Sequence, residues 1–187
     1  TANPSKYLMW QDILAGLFDK NIEGHPVAAH YAKLANTLSL AVKRNGAYNS
    51  LFEFLHQVAE VLALKSEMGL KVTEAYRAGD RQRLEELASD ELPALAKQMK
   101  KLHECHRRVW LDTYKAFGWD IMDMRYASIE ARINSAVDQI ERYLGGDLPE
   151  IEELEAERLY YNGKPGVVRY TNYYPRIVSG SPIAARG

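Results

Sequence analysis

Apolar residues in this chain recur mainly at intervals of three and four. From Pro26 to Arg44 the positions Val27, Tyr31, Leu34, Ala35, Leu38 and Ala41/Val42 form one stripe, and Asn45-Gly46 closes it, which predicts an amphipathic helix. A second window from about Ser50 to Arg77 carries Leu51, Phe54, Leu55, Val58, Val61, Leu62, Lys65, Met68, Val72 and Tyr76 on related faces. Gly69 interrupts it at a cost of about 1 kcal/mol relative to alanine, which predicts close packing or a mild bend there. A short helix is expected over Asp80 to Ala88, with Asp80 as N-cap. A long helix is expected from Asp90 to Phe117-Gly118, Pro93 being tolerated in its first turn. Ile129, Ile133, Ala136, Val137, Ile140, Tyr143 and Leu144 define a further helix that stops at Gly145-Gly146. A short acidic helix is expected over Glu150 to Arg158, its acids forming a solvated face.

The two ends lack a sustained period. Residues 1 to 24 and 160 to 187 mix Gly, Pro and Asn with aromatics, and the tail holds Tyr160, Tyr161, Tyr170, Tyr173 and Tyr174 with Arg169 and Arg176. Such a segment cannot build a core alone and is expected to lie on the bundle or on a neighbouring domain. The fold class is therefore all-α: a bundle of about four long and two short helices over residues 25–159, with irregular N- and C-terminal segments.

At 187 residues one domain suffices, large enough to bury about 70% of the surface its unfolded chain exposes. Twenty-four basic and 25 acidic residues leave a net charge of −1, giving no footprint for nucleic acid or an anionic membrane. The single cysteine, Cys105, excludes an internal disulfide framework and a cysteine-rich zinc site, and fits a reducing compartment. No apolar run approaches the ~20 residues of a membrane span, so a soluble, cytoplasmic protein is expected. The opening Thr1-Ala2-Asn3-Pro4, with no initiating Met, is expected of an excised domain.

Few groupings suggest chemistry. Glu53 and His56 stand one helical turn apart, as in di-metal bundles, but those sites need a second such pair that the long helices lack. A partly buried His beside a surface Glu is the plainer account, and no metal or other cofactor is expected. His103-Glu104-Cys105-His106 looks like a ligand cluster, yet on a helix the two histidines share a face while Cys105 points elsewhere. His106 is expected on the packed stripe with Trp110. No Gly-x-Ser-x-Gly elbow or phosphate-binding glycine loop occurs.

Between Phe117 and Tyr126 the sequence Phe-Gly-Trp-Asp-Ile-Met-Asp-Met-Arg-Tyr reads as a non-helical break. Trp119, Asp120, Asp123 and Arg125 within it either flank a ligand or anchor a loop or domain interface, the acids capping the following helix and pairing with the arginine. This stretch, together with Asn3-Pro4-Ser5-Lys6-Tyr7-Leu8-Met9-Trp10-Gln11-Asp12 and Ile151-Glu152-Glu153-Leu154-Glu155-Ala156-Glu157-Arg158-Leu159, resembles the C-terminal helical region of a subgroup of family-20 glycoside hydrolases. Those enzymes are exo-acting β-N-acetylhexosaminidases, and the resemblance runs over nearly the whole chain.

The resemblance implies an upstream (β/α)₈ catalytic barrel in the same polypeptide, with residues 1–24 coming from its end and residues 160–187 packing on bundle or barrel. It implies a substrate ending in N-acetylhexosamine, hydrolysed with the sugar's own acetamido group as nucleophile while an adjacent Asp-Glu pair of the barrel assists. Asp90-Glu91 is not given that role, since it precedes Leu92-Pro93 at an expected helix start and suits the helix dipole. In the family a Tyr-x-Asp pair at the barrel mouth holds the acetamido oxygen and sugar hydroxyls, and the resemblance places Trp10 and Asp12 on those positions. Trp10 offers an indole N–H in place of a phenol. The competing reading makes Asp12 a cap of the run Ile13 to Phe18. The fragment alone is expected to be inactive. The alternative function is a stand-alone helical module that docks a protein partner.

Overall fold

The computed structural model describes residues 4–42, 44–161 and 163–165. Those residues form helices and no strand. The order is α1 (Pro4–Trp10), α2 (Asp19–Ile22), α3 (Val27–Ala41), α4 (Asn49–Lys65), α5 (Met68–Arg77), α6 (Arg81–Glu86), α7 (Leu92–Thr113), α8 (Trp119–Gly145) and α9 (Glu152–Glu155), with a 3₁₀ turn at Gly46–Tyr48. The four long members are α3, α4, α7 and α8, as the periodicity predicts. They pack α3 on α4, α4 on α7 and α7 on α8. The core between them is apolar: Val61, Leu62, Leu95, Met99, Leu102, Ile133, Ala136 and Ile140 are almost wholly shielded from solvent.

Four expectations need correction. The window from Ser50 to Arg77 is two helices, because the chain turns at Ser66–Glu67. Glu67 leaves the helical path and accepts the Ala28 amide at 2.8 Å, so it serves α3, whose own N-cap position, Pro26, makes no side-chain cap bond. The helix expected to begin at Asp90 does not begin there. A π-helical turn at Leu87–Glu91 carries α6 into α7 without a break, burying Leu87 and Ala88 on the way. Glu91 then pairs with Lys71 at 2.8 Å and with Arg83.

The third correction concerns residues 117–126. Only the linker 114–118 is non-helical; Gly118 at φ 85° turns the chain and α8 starts directly at Trp119. A left-handed φ of that size suits a residue without Cβ. Trp119, Met122, Tyr126, Ile129, Ile133, Ala136 and Ile140 are spaced alternately by three and four, a single stripe that faces α7. The acidic segment is the fourth case. Its helix spans only Glu152–Glu155, and Glu153 and Glu155 are not merely solvated: Glu153 meets Arg132 at 3.3 Å and Glu155 accepts the Tyr76 hydroxyl at 2.5 Å.

The N-terminal segment joins this core. Leu8, Met9, Ile13, Leu14 and Phe18 are buried among the residues of the long helices, and Phe18 stacks on Tyr161 with ring centroids 4.6 Å apart. Tyr170, Tyr173, Tyr174, Arg169 and Arg176, named above for the tail, lie outside the described residues.

Candidate functional site

The segment that follows α1 has few regular backbone bonds of its own, and side chains from four directions supply what it lacks. Asp12 closes a turn by accepting the amides of Leu14 and Ala15 on Oδ1, at 2.9 and 2.8 Å. This is the capping geometry expected of an aspartate at such a position. From α8, Arg132 brings its Nε to Asp12 Oδ2 and its Nη2 to Oδ1 at 3.3 Å. Both oxygens of a side chain only 3% exposed are thereby engaged. A bidentate arginine–carboxylate pair of this kind fixes position as well as charge.

Four further residues complete the clamp. From the end of α4, Lys65 is 1% exposed and donates to the carbonyls of Leu8 at 3.0 Å and Gln11 at 2.5 Å. Arg158, beyond α9, donates to the carbonyls of Leu14 and Ala15 and to Thr73 Oγ1 of α5. Gln11 donates to Asp19 Oδ1 at 3.2 Å and accepts the Phe18 amide at 3.0 Å. Asp19 is wholly buried, with Oδ2 3.7 Å from Arg158 Nε. Gly69 and Gly16 leave it room, since a Cβ on either would stand 2.5 or 2.2 Å from Asp19 Oδ2.

Burial sets the protonation of this cluster. It pushes the Asp19 carboxyl up to about 6, against the opposing pull of Arg158 and Lys65. It brings the Lys65 ammonium down to about 8, although Asp12 and Asp19 favour its charge. An unfolded Asp19 releases its proton near the usual 3.8, while the folded one keeps it to about pH 6. The stability contributed by Asp19 is therefore complete below pH ~4 and is lost as the pH rises through about 6. The melting temperature is expected to fall over that window by more in the natural chain than in Asp19→Asn, in matched calorimetric scans; parallel curves would remove Asp19 from the account.

The other sequence candidates separate into two groups. Trp10 is half-buried and packs edge-on against Tyr126, centroids 5.2 Å apart. Trp119 is 5% exposed and lies near His103, His106 and Trp110. Asp123 pairs with His103 Nε2 at 2.7 Å, not with Arg125. Asp120 is exposed in the first turn of α8, where its charge complements the helix dipole; Arg125 Nε is buried without a hydrogen-bond partner among the described residues. These four thus sit on one helix beside an aromatic-histidine stack.

His106 lies on the packed stripe with Trp110, as expected, packs also on Phe54, and shares a hydrogen bond of 3.0 Å with the Tyr126 hydroxyl. Burial holds it neutral, its pKa lowered to about 4. Glu53 pairs with Arg108 at 2.8 Å, and His56 faces Glu60 at 3.4 Å. Among the described residues no three His, Cys, Asp or Glu side chains form a metal-holding group. Also among them, no helix is long and apolar enough to cross a membrane.

Sequence reasoning missed the clamp residues Gln11, Asp19, Arg132 and Arg158. Lys65 was visible as a charge at a core position of the α4 stripe, which is the mark of a buried lysine with fixed acceptors.

Fold and site together define an all-helical domain organised around one immobilised N-terminal segment. The family model for the glycoside hydrolase 20C C-terminal domain matches residues 1–171, and the chain belongs to that family. Membership implies a parent polypeptide that also carries a catalytic domain. No curated protein matches the chain.

Proposed function

We propose that this domain buttresses the catalytic barrel of a β-N-acetylhexosaminidase acting on glycans that end in N-acetylhexosamine, and that it is inert by itself. The observation that carries this reading is the clamp. Residues 1–24, which the resemblance assigns to the end of the barrel, include the segment from Leu8 to Asp19 that Lys65, Arg132 and Arg158 lock into the bundle. The end of one domain is then the core of the next, and the two move as a unit. In this arrangement Asp12 anchors the turn, and half-buried Trp10 is the side chain left to reach the rim of the sugar pocket.

The test uses the parent enzyme and an aryl β-N-acetylglucosaminide. Arg132→Met leaves Asp12 buried without its paired arginine, a change worth about 3 kcal/mol or more. It is expected to lower the parent's melting temperature and to cut kcat/KM several-fold, while residues 1–187 alone hydrolyse nothing. Turnover by the isolated chain, or a parent enzyme indifferent to the substitution, would remove the proposal.

A further inference from the structure

Beyond the clamp, α3 is the least covered of the long helices. It buries only Tyr31 and Ala35 among its fifteen residues, while Leu34 and Leu40 are 39% and 61% exposed. On α4, Leu51 and Leu55 are 45% and 46% exposed. Leu34 and Leu38 of α3 and Phe54, Leu55 and Val58 of α4 line an opening of about 430 Å³. His106 of α7, Met122 and Tyr126 of α8, and Met9 and Trp10 of α1 line it as well. His106 is held neutral there and its Nδ1 is engaged by Tyr126, so the lining offers apolar and aromatic surface with little charge. That chemistry suits a protein surface with projecting apolar side chains.

The position of α1 selects the occupant. Pro4 to Trp10 is one short helix, about 9 Å long at 1.5 Å per residue. Trp10 at its end is part of the groove, so chain upstream of Pro4 joins the domain about one short helix away. In a C-terminal domain that upstream chain is the catalytic domain, held at high local concentration by the tether.

We infer that the groove between the α3–α4 pair and the α7–α8 pair, with Trp10 in its lining, is the seat of the upstream catalytic domain. This rests on the buttress reading and names the surface through which it acts. Contacts between domains of one chain usually bury roughly 600–1,500 Å², and Leu40 and Leu51 are further exposed apolar side chains on the same two helices.

The experiment is thiol labelling of the folded parent enzyme. Cys105 is buried, 4% exposed, and gives a slow background. Leu55→Cys is expected to react at least about tenfold more slowly than Gln82→Cys, a control at an exposed position of α6. Equal rates overturn the inference. Protection that disappears on dilution assigns the groove to a second copy, and protection lost when the parent is cut after Pro165 assigns it to the C-terminal tail; either result also overturns it. Deleting the whole helical domain separates the two proposals. An unaffected barrel removes the buttress reading, whereas a weakened barrel with an unprotected Leu55→Cys keeps the buttress and rejects this surface.

Discussion

Gly69→Ala is expected to lower the melting temperature of this domain, against what helix propensity alone dictates. Alanine in place of an interior helical glycine adds about 0.5–1 kcal/mol of stability where there is space for a methyl group. At Gly69 there is none. The added Cβ would lie 2.5 Å from Asp19 Oδ2, 2.9 Å from the Ile13 carbonyl oxygen and 3.0 Å from Asp19 Oδ1. One obstacle is backbone, and the other is a buried carboxylate held by Gln11 and faced by Arg158. Relief requires the whole segment around Asp19 to withdraw from α5, which would loosen the clamp. Overpacking and disrupted polar contacts together are expected to cost about 3 kcal/mol, or roughly 6–12 °C for a domain of this size. Gly145→Ala is the matched control, since its nearest obstacle is Asp147 Oδ2 at 4.0 Å; it should hold or slightly raise the melting temperature. If Gly69→Ala behaves like that control, the close approach of α5 to Asp19 is wrong.

The same glycine shows how far the sequence reaches. A costly residue inside a helical stripe announces a close approach, but not the partner, because Asp19 lies fifty residues away in a segment with no period. Long helices are legible for the opposite reason: their apolar positions repeat every turn, so the members of each stripe in α3, α4 and α7 reinforce one another. Residues 117–126 were misread because Trp119 and Tyr126 look like loop aromatics when judged singly. With Met122 they extend the α8 stripe backward by nearly three turns, and only Gly118 marks the true start. The turn at Ser66–Glu67 leaves no comparable mark; Glu67 is recruited by the Ala28 amide, 39 residues distant. Likewise Arg132 and Arg158 are ordinary surface arginines by pattern. Their role depends on carbonyls and a carboxylate that reach them only when residues 8–19 fold into the bundle.

Lys65 is the member of the clamp whose loss should cost most. Its ammonium lies between the carbonyls of Leu8 and Gln11, at the point where α1 gives way to irregular chain. Truncation to alanine leaves both carbonyls without their lysine donor, opens a cavity at a site 1% exposed, and takes a cation away from Asp12 and Asp19. Loss of one partner of a buried charged cluster costs about 3–5 kcal/mol, and the cavity adds to it. Lys65→Met separates these contributions, because it refills most of the volume but restores no donor. It is expected to fall between the natural chain and Lys65→Ala. The pH dependence carries an independent signature. Unfolded Lys65 gains its proton near the usual 10.5 and the folded residue only near 8, so its contribution is complete above pH ~10.5 and is lost as the pH falls through about 8. Lys65→Met abolishes that slope. Hydrogen exchange of the amides from Leu8 to Phe18 gives the local readout: both variants should release this segment before α7 and α8 open. If it instead stays as protected as the long helices, Lys65 is a tolerated core residue and the immobilised N-terminal segment owes its order to the other clamp residues and its apolar burial.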